Sequence, residues 1–177
     1  IQSTNLLVAD CGQYCVALTG GGKYNFNHST FANYWTYDVR QEPAFIMTNT
    51  FSDISGATQV RDVETSTFRN GIIYGNNTNE FKLAFDNQLS PDILFKNFLF
   101  RTDQSTLDAS RFEQSSIYRN QEPGFVGASD GNFHLKENAY ARGKGFDPFG
   151  VDFVAQFDLD HVQRPSDVSD LGCYTFE

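Results

Sequence analysis

Apolar side chains recur along this chain in short runs of about 3 to 6 residues, each broken by a brief polar step, a period that suits strands and turns rather than helices. The stretch SPDILFKNFLFRTD, 90–103, shows the problem sharply: five large apolar groups lie between Ile93 and Leu99, interrupted by Lys96 and Asn97. A buried helix would not carry Lys96 without a partner, and a half-exposed strand would alternate more cleanly. Three other stretches repeat the arrangement. STNLLVADC from Ser3, FNHSTFANY from Phe26, FRNGIIYGN from Phe68 and LFKNFLFRT from Leu94 start 23, 42 and 26 residues apart. Apart from Ser3, each begins on a large apolar residue. Two positions on stands a polar one (Asn5, His28, Asn70, Lys96), and five positions on an apolar one (Val8, Phe31, Ile73, Leu99).

The spacing predicts stacked passes of short strands, each too small to bury its own face. Lys96 and Asn97 then form a corner that shifts the alternation, so that Leu94 and Leu99 both point inward. Phe26, Phe68 and Leu94 should form one inner column, and Val8, Phe31, Ile73 and Leu99 a second. The 42-residue gap is one pass carrying an insertion, read as a loop over 51–67 because FSDISGATQVRDVETST is polar and weakly periodic. Helical repeats would need amphipathic windows that are scarce here.

Composition narrows the field. With 177 residues and 40% apolar content the chain can build one sizeable core. The net charge of −9 comes without any run of Lys or Arg, which argues against a nucleic-acid partner. No stretch approaches the ~18 apolar residues of a membrane span. The opening IQSTNLLVADCG reads as mid-fold sequence, so upstream rungs, a signal peptide or a lipid anchor are expected before Ile1. Cys11, Cys15 and Cys173 are an odd set. They are read as buried or half-buried thiols, and a Cys11–Cys15 link would demand a tight turn.

The repeats, together with NHSTFANYW, EPAFIMTNTF, EPGFVGASDGNFHLKENAYARGKGFD and DLDHVQRPSDVSDLGCYTFE, resemble right-handed parallel β-helix proteins of the pectate-lyase-like superfamily, of the exported or lipoprotein type found in Bacteroidota. In the terminal segment the matching positions are Pro123, Phe125, Phe133, Leu135, Ala141, Gly143, Gly145, Arg164, Pro165, Asp170, Leu171, Gly172 and Tyr174. Ala139–Tyr140, His161 and Cys173 depart from the pattern. The resemblance implies an all-β, right-handed parallel β-helix solenoid, the C-terminal part of a longer one. Rungs would occupy 1–121, and 122–177 would supply the last rung and an irregular C-terminal cap of the same domain. It also implies a place outside the cell or on the outer-membrane surface of a Gram-negative bacterium, with attachment through an upstream lipid anchor.

Fold does not fix function. The paired carboxylates of a hydrolase are not evident, and Arg142 and Lys144 echo a lyase pair only superficially, within what the family pattern makes a turn. Tyr34, Trp35 and Tyr37, in FANYWTYD, could stack on sugar rings or pack on the neighbouring loop. The acidic residues Asp147, Asp152, Asp158, Asp160, Asp167 and Asp170 offer hard oxygens, with Asp158 and Asp160 the strongest candidates for calcium. Solvated turn carboxylates are the competing reading. His28 belongs to the corner, His134 faces solvent, and His161 lies in a turn. The expected role is a non-catalytic surface module that binds a polysaccharide or a surface protein complex. The alternative is a polysaccharide lyase or glycoside hydrolase whose catalytic residues lie partly upstream.

Overall fold

A computed structural model describes residues 1–86, 88–146 and 155–177. It is an all-β protein with parallel sheets. The strands are β1 (Gln2–Thr4), β2 (Leu7–Ala9), β3 (Val16–Leu18), β4 (Asn25–Asn27), β5 (Thr30–Asn33), β6 (Phe45–Thr48), β7 (Thr50–Ser52), β8 (Thr58–Val60), β9 (Ser66–Gly75), β10 (Phe81–Ala84), β11 (Ile93–Phe100), β12 (Ile117–Arg119), β13 (Phe125–Gly127), β14 (Asn132–Leu135), β15 (Gly145–Phe146) and β16 (Val168–Ser169). The large sheet runs β1-β4-β9-β11-β12, with β2 and β5 pairing alongside, and all its pairs are parallel. A second parallel sheet stacks β3, β6 and β10. Each pass of the chain therefore lays one stretch in the first sheet and, over the first three passes, the next stretch in the second.

Corners make this possible. Asn5, His28, Asn70 and Asn97 stand one above another, and all have φ between 49° and 56°. That left-handed conformation is costly for most side chains and least so for Asn, Asp and His. It turns the strand and resets which residues face inward. The register is Ser3–Phe26–Phe68–Phe95 on one side of the corner and Val8–Phe31–Ile73–Phe100 on the other. The first three passes match the alignment read from the sequence. The fourth is displaced by one residue, so Asn97 rather than Lys96 takes the corner, and Phe95 and Phe100 replace Leu94 and Leu99 in the columns. A one-residue slip moves every side chain to the opposite face, and the apolar run here is ambiguous because both faces of β11 are covered.

Inside, Phe26, Phe68, Phe95 and Phe112 form a continuous ring stack, with centroids 5.5, 4.5 and 5.5 Å apart and planes within 17°. Phe45 meets Phe68 edge-on at 5.8 Å and stacks on Phe81 at 5.8 Å, joining the two sheets. Gly71 has no side chain because the ring of Phe98, its partner on the next strand, fills that space.

Two segments depart from expectation. The insertion is not a loop over 51–67. β7 and β8 form an antiparallel hairpin, and Ser66 and Thr67 already belong to β9. The Asp53 carboxylate shapes the hairpin turn by accepting from the Ser55 and Ala57 amides, and the Arg61 guanidinium sits 4.8 Å over the Phe51 ring. Strands of three residues are too short to announce themselves by alternation.

The second departure is the segment from 122 onward, which covers a flank rather than an end. Phe125, Phe133, Leu135, Ala141 and Leu171 pack on Ala32, Ile72, Tyr74 and Leu99, the outward residues of the large sheet. Polar contacts follow the corner column. The Asn5 amide donates to the Phe157 carbonyl at 2.7 Å, and its oxygen accepts from the buried Arg164. Asn70 both accepts from the Phe146 amide (3.0 Å) and donates to its carbonyl (3.2 Å), and Asn97 donates to the Lys144 carbonyl at 3.1 Å. The Gly172 amide donates to the Asn70 carbonyl, and the Cys173 amide to the Thr30 hydroxyl.

His28 is fully buried in this seam, with Nε2 3.2 Å from the Asn70 amide nitrogen. Burial, then the nearby Arg164 charge, holds its pKa well below the usual 6.5. The folded protein thus keeps His28 neutral while the unfolded chain takes up a proton below pH 6.5. Stability is fully present above that pH and falls as pH drops through it, by up to about 1.4 kcal/mol per pH unit. Urea unfolding between pH 7.5 and roughly pH 5 should show this loss, and His28→Asn, which retains the corner preference, should remove most of it. The corrected register has its own check. Phe95→Ala should cost about 3–5 kcal/mol and Leu94→Ala, half-exposed, about 1 kcal/mol; equal losses would refute it.

Candidate functional site

The three aromatic candidates sit on the loop between β5 and β6, in different surroundings. Tyr34 is structural in part: its ring lies 6.3 Å from Phe125 and 6.2 Å from Phe133, wedging the loop against the C-terminal segment. Burial, then the Glu122 charge, raises its hydroxyl pKa. Trp35 lies half-buried over Gly12, and Tyr37 is 88% exposed; their rings stand 4.9 Å apart. They border a depression of about 420 Å³ whose walls also include Asp10, Ser129 and Asp130. Asp10 accepts from the Tyr34 amide at 3.0 Å, and Asp130 comes from the C-terminal segment.

The loop that carries these rings is anchored by a buried ion pair. Arg40 and Glu80 have side chains 2% and 0% exposed, and the guanidinium donates twice to the carboxylate. Burying charge is costly unless every lone pair and proton is used. Here Glu80 also accepts from the Ala44 amide (2.8 Å) and the Asn77 amide (2.8 Å), and Arg40 donates through its two terminal nitrogens to the carbonyls of Asn33 and Glu42, while its Nε–H has no partner among the described residues. Gly75 is required, since a Cβ there would run into the Asn33 carbonyl and Glu80. On the other side, the Asn33 amide donates to the carbonyls of Cys11 and Gln13 at 2.9 and 3.0 Å, tying in the turn that supports Trp35. Neither Arg40 nor Glu80 stands out in the sequence: each is one charge in a polar or mixed stretch, and only folding brings them together.

The calcium candidates have other duties. Asp158 is 4% exposed, and its oxygens accept from the Asp160, Val162 and Thr175 amides at 2.8–2.9 Å. Asp160 pairs with His134, Oδ2 to Nε2 2.7 Å, while the His134 ring stacks on Tyr174. Asp170 accepts from the Gly143 and Phe176 amides. Asp147 and Asp152 lie outside the described residues. Among the described residues no three His, Cys, Asp or Glu groups gather as metal ligands. The cysteines Cys11, Cys15 and Cys173 are free thiols, the last fully buried.

Arg142 is tied within its own segment, 3.8 Å over the Phe176 ring and donating to the Glu137 carbonyl. Lys144, two residues on, lines a different cavity of about 570 Å³ with Arg69, Lys96 and Glu113. The Lys96 and Arg69 positions look unremarkable in sequence; the strand register is what places them side by side.

Compared with models of known protein families, with curated proteins and with solved structures, the chain matches none. Among the described residues no helix is long and apolar enough to cross a membrane.

Removing one partner of the buried pair leaves the other charge stranded. Glu80→Ala should therefore destabilise the fold by about 3–5 kcal/mol. Because Trp35 is the single tryptophan, its emission should shift to the red as the loop loosens. An unchanged melt and spectrum would show that the loop is held by other means.

Proposed function

We propose that the stacked passes form a right-handed parallel β-helix of the pectate-lyase-like kind, and that the protein is a non-catalytic, exported or cell-surface module that binds a glycan. The parallel register of both sheets and the vertical column of left-handed corners support the β-helix reading. The observation that carries the binding role is the Trp35–Tyr37 ring pair beside a depression with carboxylate and hydroxyl groups. Flat aromatic faces match the apolar C–H face of a sugar ring, while Asp10, Ser129 and Asp130 can accept from or donate to its hydroxyls. The buried Arg40–Glu80 anchor fixes the loop before any ligand arrives, which lowers the ordering cost of binding. A surface protein complex is the other partner that such a ring pair could serve. The exported setting, and attachment by a lipid group upstream, follow from the family resemblance and belong to the same proposal.

The lone tryptophan supplies the assay. Titration with a panel of neutral oligosaccharides should change Trp35 emission saturably. Trp35→Ala and Tyr37→Ala should weaken binding, measured calorimetrically, by about tenfold or more, equivalent to at least ~1.4 kcal/mol. If no oligosaccharide binds, or if binding survives both substitutions unchanged, the ring pair is not a sugar platform.

A further inference from the structure

We infer that the cavity beside the corner column is a second binding site, specific for an oxyanion: a carboxylate, sulfate or phosphate-ester group on a hydroxyl-bearing ligand. It shares no lining residue with the depression at Trp35, so the inference stands apart from the glycan reading. The cavity holds about 570 Å³ and is lined by Arg69, Lys96, Asn97, Glu113, Tyr118 and Lys144, among others. Among the described residues three cations face one carboxylate there, on a chain whose net charge is −9.

The cations are placed rather than scattered. Arg69 on β9 and Lys96 on β11 are direct neighbours across the parallel ladder, and both point outward because Phe68 and Phe95 beside them point in. Like charges on adjacent strands repel. Glu113 answers only one of them, holding Lys96 at 3.1 Å. Among the described residues Arg69 has no carboxylate within ion-pair distance. Lys144 arrives from the C-terminal segment, its backbone carbonyl fixed by the corner residue Asn97. Its ammonium lies 4.4 Å from the Tyr140 ring and 5.4 Å from the Tyr118 ring, which steer it without cancelling its charge. Two strands and a docked segment thus concentrate positive charge in a half-enclosed space, beyond what the carboxylates among the described residues balance, and counter-ion attraction there is screened less than on an open surface. An oxyanion relieves the Arg69–Lys96 repulsion, and the neighbouring Ser115 and Tyr118 hydroxyls can bond to the group that carries it.

Calorimetric titration of the full chain at low salt provides the test, with four probes: inorganic sulfate, a carboxylated oligosaccharide, a sulfated oligosaccharide and a neutral oligosaccharide of equal length. At least one anionic probe should bind while the neutral one does not bind here. Arg69→Gln and Lys144→Gln should each weaken that binding about 3- to 10-fold, and raising the salt should weaken it further. Lys136→Gln, a substitution on an exposed surface away from the cavity, should leave it unchanged. Circular-dichroism melts of the variants confirm folding, and amide shifts of Lys144 and Gly145 on titration locate the site. Tight binding of sulfate alone would make the anion itself the ligand. A stronger carboxylated or sulfated arm would identify its carrier. The inference is overturned if no anion binds with shifts at the Lys144 and Gly145 amides, if Arg69→Gln and Lys144→Gln bind normally, or if Lys136→Gln is as damaging as they are.

Discussion

The left-handed backbone at Asn5, His28, Asn70 and Asn97 is the constraint on which the rest depends. Without it each stretch of the large sheet would continue as a straight strand, and the residues before and after would alternate out of phase. With it, Phe68 and Ile73, or Phe95 and Phe100, all reach the same interior. The conformation is unfavourable for an ordinary L-residue, so the choice of Asn or His at these four positions is a backbone requirement first. The side chains then do a second task. Those of Asn5, Asn70 and Asn97 point away from the core and supply hydrogen bonds to the peptide groups of the C-terminal segment, at Phe157, Phe146 and Lys144.

Both candidate binding places follow from that arrangement. Around Trp35 the wall is shared between the β5–β6 loop and the turn at Ser129–Asp130, so the depression exists only while the C-terminal segment is docked. The cationic cavity likewise draws Arg69 and Lys96 from the sheet and Lys144 from the segment laid over it. The phenylalanine stack lies apart from both openings, whereas the Arg40–Glu80 pair holds the loop that forms one of them.

Much of the architecture was legible because apolar residues and corner residues recur together. Ser3, Phe26 and Phe68 fall in register as their sequence alignment suggests. The fourth pass was misread by one residue, since in ILFKNFLF each phase carries three large apolar residues and one polar one, Lys96 or Asn97, and either phase satisfies the pattern. What decides between them is the cover on the outer face, contributed by residues such as Phe133 and Leu171 far along the chain. The same long-range packing explains why the terminal segment read as an end cap. Apolar Ala32, Ile72, Tyr74 and Leu99 signal a covered face only once their direction is known. The aromatic candidates were visible as a cluster in FANYWTYD, but Tyr34 is largely a wedge, whereas Trp35 is half-buried and Tyr37 exposed. The paired cations were hidden, because adjacency across a parallel ladder has no signature along the chain.

The seam along the corner column has a mechanical meaning. In a pile of layers that touch only their neighbours, damage at one level stays local, and the pile frays from whichever end is weaker. Fastenings at Lys144, Phe146, Phe157 and Cys173 reach the fourth, third, first and second levels respectively, and join those layers in parallel as well as in series. Strain applied at one end is then divided among all the fastenings, and the layers must come apart as a body rather than one by one.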